Sequence, residues 1–142
     1  MQILKIVATV VMMGSLLGCA AGLSTFEKRE LKAFESRGLK VTEKDETTAT
    51  LLGLLPGGGS FYTGNPGYGV VNFLFWPLTI FWDPVSGLNG AQSINYSATK
   101  FRINRLLEDD LAALDTKLMS KEISTKRYAV ERRKVEKKYK PY

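Results

Sequence analysis

The 142-residue sequence contains no histidine and only one cysteine, Cys19. A single cysteine excludes an internal disulfide and a thiol redox pair, and the missing histidines exclude a Cys/His metal site. General acid–base chemistry would have to use carboxylates, lysine or tyrosine. Almost all carboxylates lie in charged helical stretches, where side chains are usually solvated. The composition therefore predicts a non-enzymatic protein without a metal or a small-molecule cofactor.

The segment before Cys19 has the pattern of an export signal. Lys5 supplies a positive start, and residues 6–17 form an almost wholly apolar run. This run is shorter than the roughly 20 residues that span a bilayer, and its length fits the core of a signal peptide. Gly18 then places a small residue where signal peptidase needs one. The sequence predicts a signal peptide over residues 1–18, with cleavage between Gly18 and Cys19.

The cysteine and the residues before it resemble the lipobox of bacterial lipoproteins: Leu16, Leu17, Gly18 and Cys19. The resemblance implies that a diacylglycerol is attached to the Cys19 sulfur and that its new amino group carries a further acyl chain. The alternative is a buried structural cysteine after an ordinary signal. Ala20 stands where an aspartate would retain such a lipoprotein in the inner membrane. The resemblance therefore implies the periplasmic face of an outer membrane.

Charge is also missing from residues 48–87, where Asp83 is the one ionisable side chain besides the tyrosines. Two apolar runs, residues 49–55 and 70–82, flank a glycine-rich connection. A helix that is apolar on all sides lies in a protein core or in lipid. The segment predicts an apolar, membrane-associated helical hairpin over residues 48–88, and a soluble aromatic core is the alternative.

Asn72 and Thr79 are the only polar residues of the second apolar run. They are two helical turns apart and would share one face of a helix. A helix over residues 70–82 is about 20 Å long, whereas the hydrocarbon core of a bilayer is about 30 Å thick. A shallow hairpin and full transmembrane helices both fit this pattern.

Pro77 interrupts the second run. Proline removes a helix donor and pushes the preceding residue, Trp76, out of helical geometry. We expect the helix to bend or end near Trp76. Trp82 and Asp83 would then lie at the water boundary, with the carboxylate hydrated.

The glycine-rich connection and the Trp82–Asp83 pair resemble the family of two-transmembrane-helix domains. That family has two apolar helices joined by a "G-x-H-x-F-Y-x-G" turn, and Ser60 stands here near the place of its polar His-Arg pair. The resemblance implies an architecture rather than a biochemical activity. It assigns the hairpin turn to Gly57, Gly58, Gly59, Phe61, Tyr62, Gly64 and Gly69.

Residues 89–142 have an amphipathic pattern. Leucine and isoleucine recur at spacings of three and four, which predicts a helix with one apolar seam. Ser120 is a candidate cap for a second helix that runs to about Tyr139, and the two helices would form a hairpin. The seam consists of Ile103, Leu107, Leu111, Leu114 and Leu118.

The same region resembles the short C-terminal domain (SHOCT) family, on the spacing of Ile123, Ser124, Tyr128 and Arg132. The glycine that is usual at the turn of that family is absent. The resemblance implies a small interaction or oligomerisation module.

The net charge of +6 is concentrated in one place. Residues 126–140 contain eight basic and two acidic side chains, so this tail accounts for the charge of the whole chain. Charge this localised indicates a solvated helix face, contact with anionic lipid headgroups, or contact with an acidic protein or the cell-wall polymer. Nucleic acid is not expected for an exported protein.

Together these features predict an all-α protein with four segments: the signal peptide 1–18, a tether and charged helix 19–47, the apolar hairpin 48–88, and an amphipathic hairpin 89–142. The predicted function is that of a non-enzymatic cell-envelope lipoprotein with a structural or interaction role. Its expected partners are membrane lipid and, through self-association or docking, envelope proteins. An accessory subunit of a membrane transport or assembly complex and a soluble carrier of apolar ligands are the alternatives.

Replacing Cys19 by alanine tests the lipid anchor. Because the sulfur is the attachment point, Cys19→Ala should block acylation and leave an uncleaved precursor. Mass spectrometry of the expressed protein measures both events. A Cys19→Ala protein of normal processed mass that is released from the membrane would contradict the lipoprotein prediction.

Overall fold

The structure is a computed structural model that describes residues 22–141. Within this range the chain forms helices, turns and loops and no strand, which confirms the all-α prediction. The signal peptide, Gly18 and Cys19 lie outside the described residues. The helices are α1 (Thr25–Ser36), α2 (Glu46–Leu52), α3 (Gly58–Tyr62), α4 (Pro66–Leu74), α5 (Trp76–Thr79), α6 (Asp83–Met119) and α7 (Thr125–Tyr139).

The chain divides into two compact units. The first, which we call the apolar unit, holds residues 22–24 and 43–94. The second, the charged unit, holds residues 25–42 and 95–141. This division differs from the predicted segments, because α6 runs continuously through residue 88 and α1 groups with the C-terminal helices.

The charged unit has a small apolar core to which three helices contribute. Phe34 of α1, Ile103 of α6 and Tyr139 of α7 are buried together. Gly38, with a φ of +68°, ends the chain reversal after α1 in a conformation that glycine adopts without steric cost. Partly buried side chains surround the core: Leu39, Leu106, Leu107 and Val135.

The predicted seam of α6 is largely confirmed. Ile103 is buried, and Leu107, Leu111, Leu114 and Leu118 are all partly buried, while most of the residues between them are exposed. The helix therefore turns one apolar face inward, as the spacing of these residues requires.

The predicted cap at Ser120 is wrong. Ser124 caps α7 instead, its side chain accepting a hydrogen bond from the Arg127 backbone N–H at 3.3 Å. The Ser120 hydroxyl contacts the Lys117 carbonyl oxygen at 3.2 Å, within the turn that ends α6. Lys121 completes this turn with a φ of +60°, in the left-handed region that favours glycine.

A buried carboxylate links α1 to α6 within the charged unit. Glu30 accepts hydrogen bonds from Lys100 Nζ at 2.8 Å and from the Tyr96 hydroxyl at 2.5 Å. Burial alone would raise the pKa of Glu30, but the Lys100 and Tyr96 hydrogen bonds and the Lys100 charge together hold it below its ordinary value. The carboxylate is thus stabilised in its ionised form.

In the apolar unit, α4 ends at Leu74 and α5 begins at Trp76, with Phe75 between them at φ −106° and ψ 25°. The predicted interruption near Trp76 is therefore confirmed. Pro77 lies in the first turn of α5, where a missing backbone donor is tolerated. The glycine-rich connection differs from the predicted simple turn, because its middle forms α3.

Only two of the seven predicted turn residues take a backbone conformation special to glycine. Gly57 precedes α3 with a φ of +69°, and Gly64 follows it with a φ of +80°. The other five lie within helices: Gly58, Gly59, Phe61 and Tyr62 in α3, and Gly69 in α4.

Glycines also let the backbones of α2, α3 and α6 approach closely. A Cβ atom on Gly53 would lie 2.4 Å from the Cα of Pro84, and one on Gly87 would lie 2.5 Å from the carbonyl oxygen of Ala49. A Cβ on Gly59 would lie 3.0 Å from the carbonyl oxygen of Asp83. This close contact brings α3 against the start of α6 and positions the polar side chains described below.

Replacing Lys121 by glycine should stabilise the charged unit. A left-handed conformation costs an L-residue about 1–2 kcal/mol, and the extra backbone entropy of glycine in the unfolded chain offsets about 0.5–1 kcal/mol. We expect Lys121→Gly to raise the free energy of unfolding by roughly 0.5–1 kcal/mol, measured by urea titration in detergent micelles. Lys117→Gly, inside α6, is the control and should lower it by about 1 kcal/mol. If the unfolding free energies of the two variants changed in the same direction, the left-handed conformation of Lys121 would be contradicted.

The Glu30 cluster predicts a dependence of stability on pH. Because the pKa of Glu30 is lower in the folded chain than its ordinary 4.5, the unfolded chain takes up a proton first as the pH falls. The stabilisation is complete above the ordinary pKa and is lost as the pH falls through the folded value. The melting temperature of the parent protein should therefore fall more steeply below about pH 5 than that of Glu30→Gln. Circular dichroism measures the melting temperature of both proteins as a function of pH. If the two proteins had the same pH dependence, Glu30 would not be stabilised as an ion.

Candidate functional site

A buried cluster of polar side chains lies at the meeting point of α3, α4 and α6. Asp83, the first residue of α6, is 1% exposed. Its Oδ1 accepts hydrogen bonds from the Ser60 hydroxyl at 2.7 Å and from Asn72 Nδ2 at 2.5 Å. Asn72 Nδ2 also lies 3.0 Å from the Ser60 Oγ, which accepts from it. We call Ser60, Asn72 and Asp83 the polar cluster.

Two further residues extend the polar cluster through Asn72. The Thr79 hydroxyl donates to the Asn72 backbone oxygen at 2.8 Å, and Trp82 Nε1 donates to Asn72 Oδ1 at 3.3 Å. Thr79 and Asn72 are both buried, but they lie on separate helices, α5 and α4, rather than on one face of a single helix as predicted. The Asn72 amide group thus contacts Ser60 of α3, Trp82 in the turn before α6, and Asp83 at the start of α6.

The prediction of a hydrated Asp83 is wrong. The carboxylate is buried because two donors reach its Oδ1 and because the amino end of α6 carries partial positive charge. Its Oδ2 is also buried, and it has no hydrogen-bond partner within residues 22–141. The sequence signal was present in the scarcity of polar residues between positions 60 and 83, since polar groups in an apolar segment tend to satisfy one another.

The apolar unit exposes many large apolar side chains. Phe81 is 83% exposed and Leu74 is 68% exposed, and other large side chains lie beside them in the sequence. Water-soluble domains seldom expose a contiguous set of this kind. The exposed large side chains are Leu51, Leu54, Leu55, Phe61, Val70, Val71, Phe73, Leu74, Phe75, Trp76, Leu78, Phe81, Trp82 and Val85.

Charged residues flank this apolar surface at the amino end of the unit. Lys44 Nζ lies 4.6 Å from the centre of the Tyr62 ring, and the Tyr62 hydroxyl accepts a hydrogen bond from the Asp45 N–H at 3.1 Å. The Tyr62 ring therefore lies beside a charged side chain at the edge of the apolar surface. Asp45 in turn caps α2 by accepting from the Thr48 N–H at 2.6 Å.

Residues 22–141 contain no group of three acidic or sulfur side chains placed to hold a metal ion. In the same range, no helix combines the length and the apolar character needed to cross a membrane.

Comparisons with protein-family models, with curated proteins and with solved structures returned no match for this chain. The resemblances to two-transmembrane-helix domains, to the SHOCT family and to bacterial lipoproteins therefore stay predictions.

Replacing Asn72 by alanine tests the polar cluster. The change removes both Asn72 donors and leaves the buried Asp83 carboxylate with Ser60 alone, which should cost about 2–3 kcal/mol of unfolding free energy. Thermal unfolding in detergent micelles measures the loss. Thr50→Ala is the control in the same unit, because the Thr50 hydroxyl donates only to the Glu46 carbonyl of its own helix, at 2.8 Å. If the two variants lost similar amounts of unfolding free energy, the hydrogen bonds of Asn72 would not be what stabilises the polar cluster.

Proposed function

We propose that the protein is a non-enzymatic cell-envelope lipoprotein with a structural or interaction role. It is anchored through acylated Cys19, and its apolar unit is embedded among lipid acyl chains. The observation that carries the proposal is the inverted arrangement of this unit, with polar side chains buried inside and large apolar side chains exposed outside. That arrangement is unfavourable in water and favourable in hydrocarbon.

The size of the apolar surface supports lipid contact. Complete burial of a large apolar side chain gains about 1.5–3 kcal/mol, and each of the fourteen exposed side chains keeps at least about 40% of its surface available for burial. The total gain on entering hydrocarbon is on the order of 10 kcal/mol. A single myristoyl chain binds membranes with an association constant of only about 10⁴ M⁻¹. The apolar unit would therefore hold the protein to a membrane independently of its acyl chains.

The polar cluster supports the same environment. A polar group without a partner costs several kcal/mol in hydrocarbon, where water cannot replace the missing hydrogen bond. Ser60, Asn72 and Thr79 all direct hydrogen bonds inward, to one another or to Asp83. The exposed side chains of residues 70–82 are thereby all apolar or aromatic.

A soluble carrier of apolar ligands would need the apolar side chains to line an interior. Here they are exposed, which favours the membrane over the carrier. The remaining alternative, an accessory subunit of a membrane complex, would place partner helices on part of the same surface. The proposal includes that case, because both lipid and apolar helices satisfy such a surface.

Flotation of the unacylated mature chain with neutral vesicles tests the embedding. The parent is residues 19–142 with Cys19→Ser, so that acyl chains do not contribute. Phe81→Lys places a charge on the most exposed apolar residue of the unit and should weaken vesicle binding at least about tenfold, since a lysine in the hydrocarbon region costs about 2.5–3.5 kcal/mol. The exposure of Phe81 makes loss of folding unexpected, and circular dichroism checks it.

Phe101→Lys is the matched control, because Phe101 is 70% exposed but belongs to the charged unit. We expect it to leave flotation unchanged. Full solubility of the parent chain without vesicles or detergent, or equal flotation of parent and Phe81→Lys, would overturn the proposed embedding.

A further inference from the structure

The orientation of α7 is set by its apolar and aromatic side. Tyr139 is buried in the core of the charged unit, Val135 packs against that core, and Tyr128 is partly buried. The Tyr128 hydroxyl donates to Asp115 of α6 at 2.6 Å, and the Tyr139 hydroxyl donates to Asp110 at 2.8 Å. One face of α7 is therefore fixed toward α6.

The opposite face of α7 carries a row of cations. Lys126, Arg133 and Lys137 follow one another at intervals of seven and four residues, which places them on one side of a helix. All three are exposed, and Val130 lies beside them with 49% of its surface exposed. We call Lys126, Arg133 and Lys137 the outer stripe. It extends about 16 Å along the helix axis.

The acidic residues near α7 are engaged elsewhere. Glu131 lies 2.9 Å from Lys134, and Glu136 lies 3.0 Å from Arg132. Asp110 of α6 lies 3.0 Å from Lys138. Six of the eight cations of the basic tail thus fall into two sets. Arg132, Lys134 and Lys138 have acidic partners, whereas no member of the outer stripe forms an ion pair within residues 22–141. Arg127 and Lys140 belong to neither set.

We propose that the outer stripe binds the phosphate groups of anionic lipid headgroups at a membrane surface. Three long cationic side chains in a row suit a fluid sheet of phosphates, because headgroups can move to meet them and the helix needs no matching pocket. Exposed Val130 adds an apolar contact at the level of the headgroups.

An acidic protein partner is less suited to this face. Specific protein contacts usually centre on aromatic side chains that fill pockets, and the aromatic residues of α7, Tyr128 and Tyr139, are turned toward α6 instead. The inference rests on the charged unit alone and stands apart from the embedding of the apolar unit.

A fluorescence measurement on the full mature chain tests the inference. In the Cys19→Ser background, Ala129→Cys beside the outer stripe carries a dye that shifts to the blue in a less polar environment. The chain is bound to vesicles of phosphatidylcholine alone or with about one third phosphatidylglycerol, and the shift is titrated with sodium chloride. We expect a shift only with the anionic vesicles and its reversal by salt, because screening shortens the reach of exposed charges.

Removing the charges of the outer stripe measures how much they contribute to membrane binding. Each lysine or arginine near an anionic surface contributes about fivefold to binding. Lys126→Gln/Arg133→Gln/Lys137→Gln should therefore lower the docking equilibrium of α7 roughly 100-fold. Arg132→Gln/Lys134→Gln/Lys138→Gln is the matched control, since it removes the same number of charges from the same helix at positions that form ion pairs with acidic residues. This control variant should retain most of the fluorescence shift with anionic vesicles.

Four outcomes would overturn the inference. They are no shift with anionic vesicles, equal losses in the two triple variants, a shift produced by poly-glutamate but not by vesicles, and the same shift produced by millimolar inorganic phosphate alone. The first would indicate a solvated face, the second an effect of net charge, and the last two a different ligand. Flotation with neutral vesicles reports separately on the apolar unit, so failure there is distinguishable from failure of the stripe.

Discussion

The buried Asp83 carboxylate draws hydrogen-bond donors to its Oδ1 inside a segment that is otherwise almost wholly apolar, and the arrangement of the apolar unit depends on these contacts. An ionisable group without partners is costly in such surroundings. Ser60 and Asn72 supply donors to Oδ1 from two other helices. Their side chains can reach it because Gly53, Gly59 and Gly87 let the helix backbones lie in close contact. Hydrogen bonding and close backbone packing therefore support each other at one place.

The inward direction of these polar groups determines what remains on the outside. The helices of the apolar unit are short, and no sequence segment here is polar enough to cover them with a hydrated face. Most of their large side chains therefore lie on the surface, and Trp82 is exposed although its Nε1 donates to Asn72 of the polar cluster. A surrounding of acyl chains or apolar helices completes such a unit, in the way that water completes an ordinary domain.

The charged unit has the usual arrangement of an apolar core and a charged surface. Phe34, Ile103 and Tyr139 form its core, and ion pairs such as Lys138–Asp110 lie on its surface. Its exposed ion pairs contribute little stability individually, whereas the buried Glu30 depends on Lys100 and Tyr96 for its charge. Under the proposed function, the apolar unit is suited to hydrocarbon and the charged unit to water.

The sequence alone predicted the all-helical fold, the seam of α6 and the interruption at Trp76, because each depends on local periodicity or on proline geometry. It also marked Asn72 and Thr79 as neighbours, since both break one apolar run. The Ser124 cap, in contrast, depended on a competition between two nearby serines that local pattern did not decide. The lipid anchor at Cys19 lies outside the described residues and stays a prediction.

Only the tertiary structure showed that Asp83 is buried with Ser60 and Asn72, because these residues are 11 to 23 positions apart and meet through helix packing. It likewise placed α1 with the C-terminal helices and separated the paired from the unpaired cations of α7. Sequence determines which side chains are apolar and where helices can form. The packing of distant helices decides which of the few polar groups find one another, and so which surface is left for lipid or water.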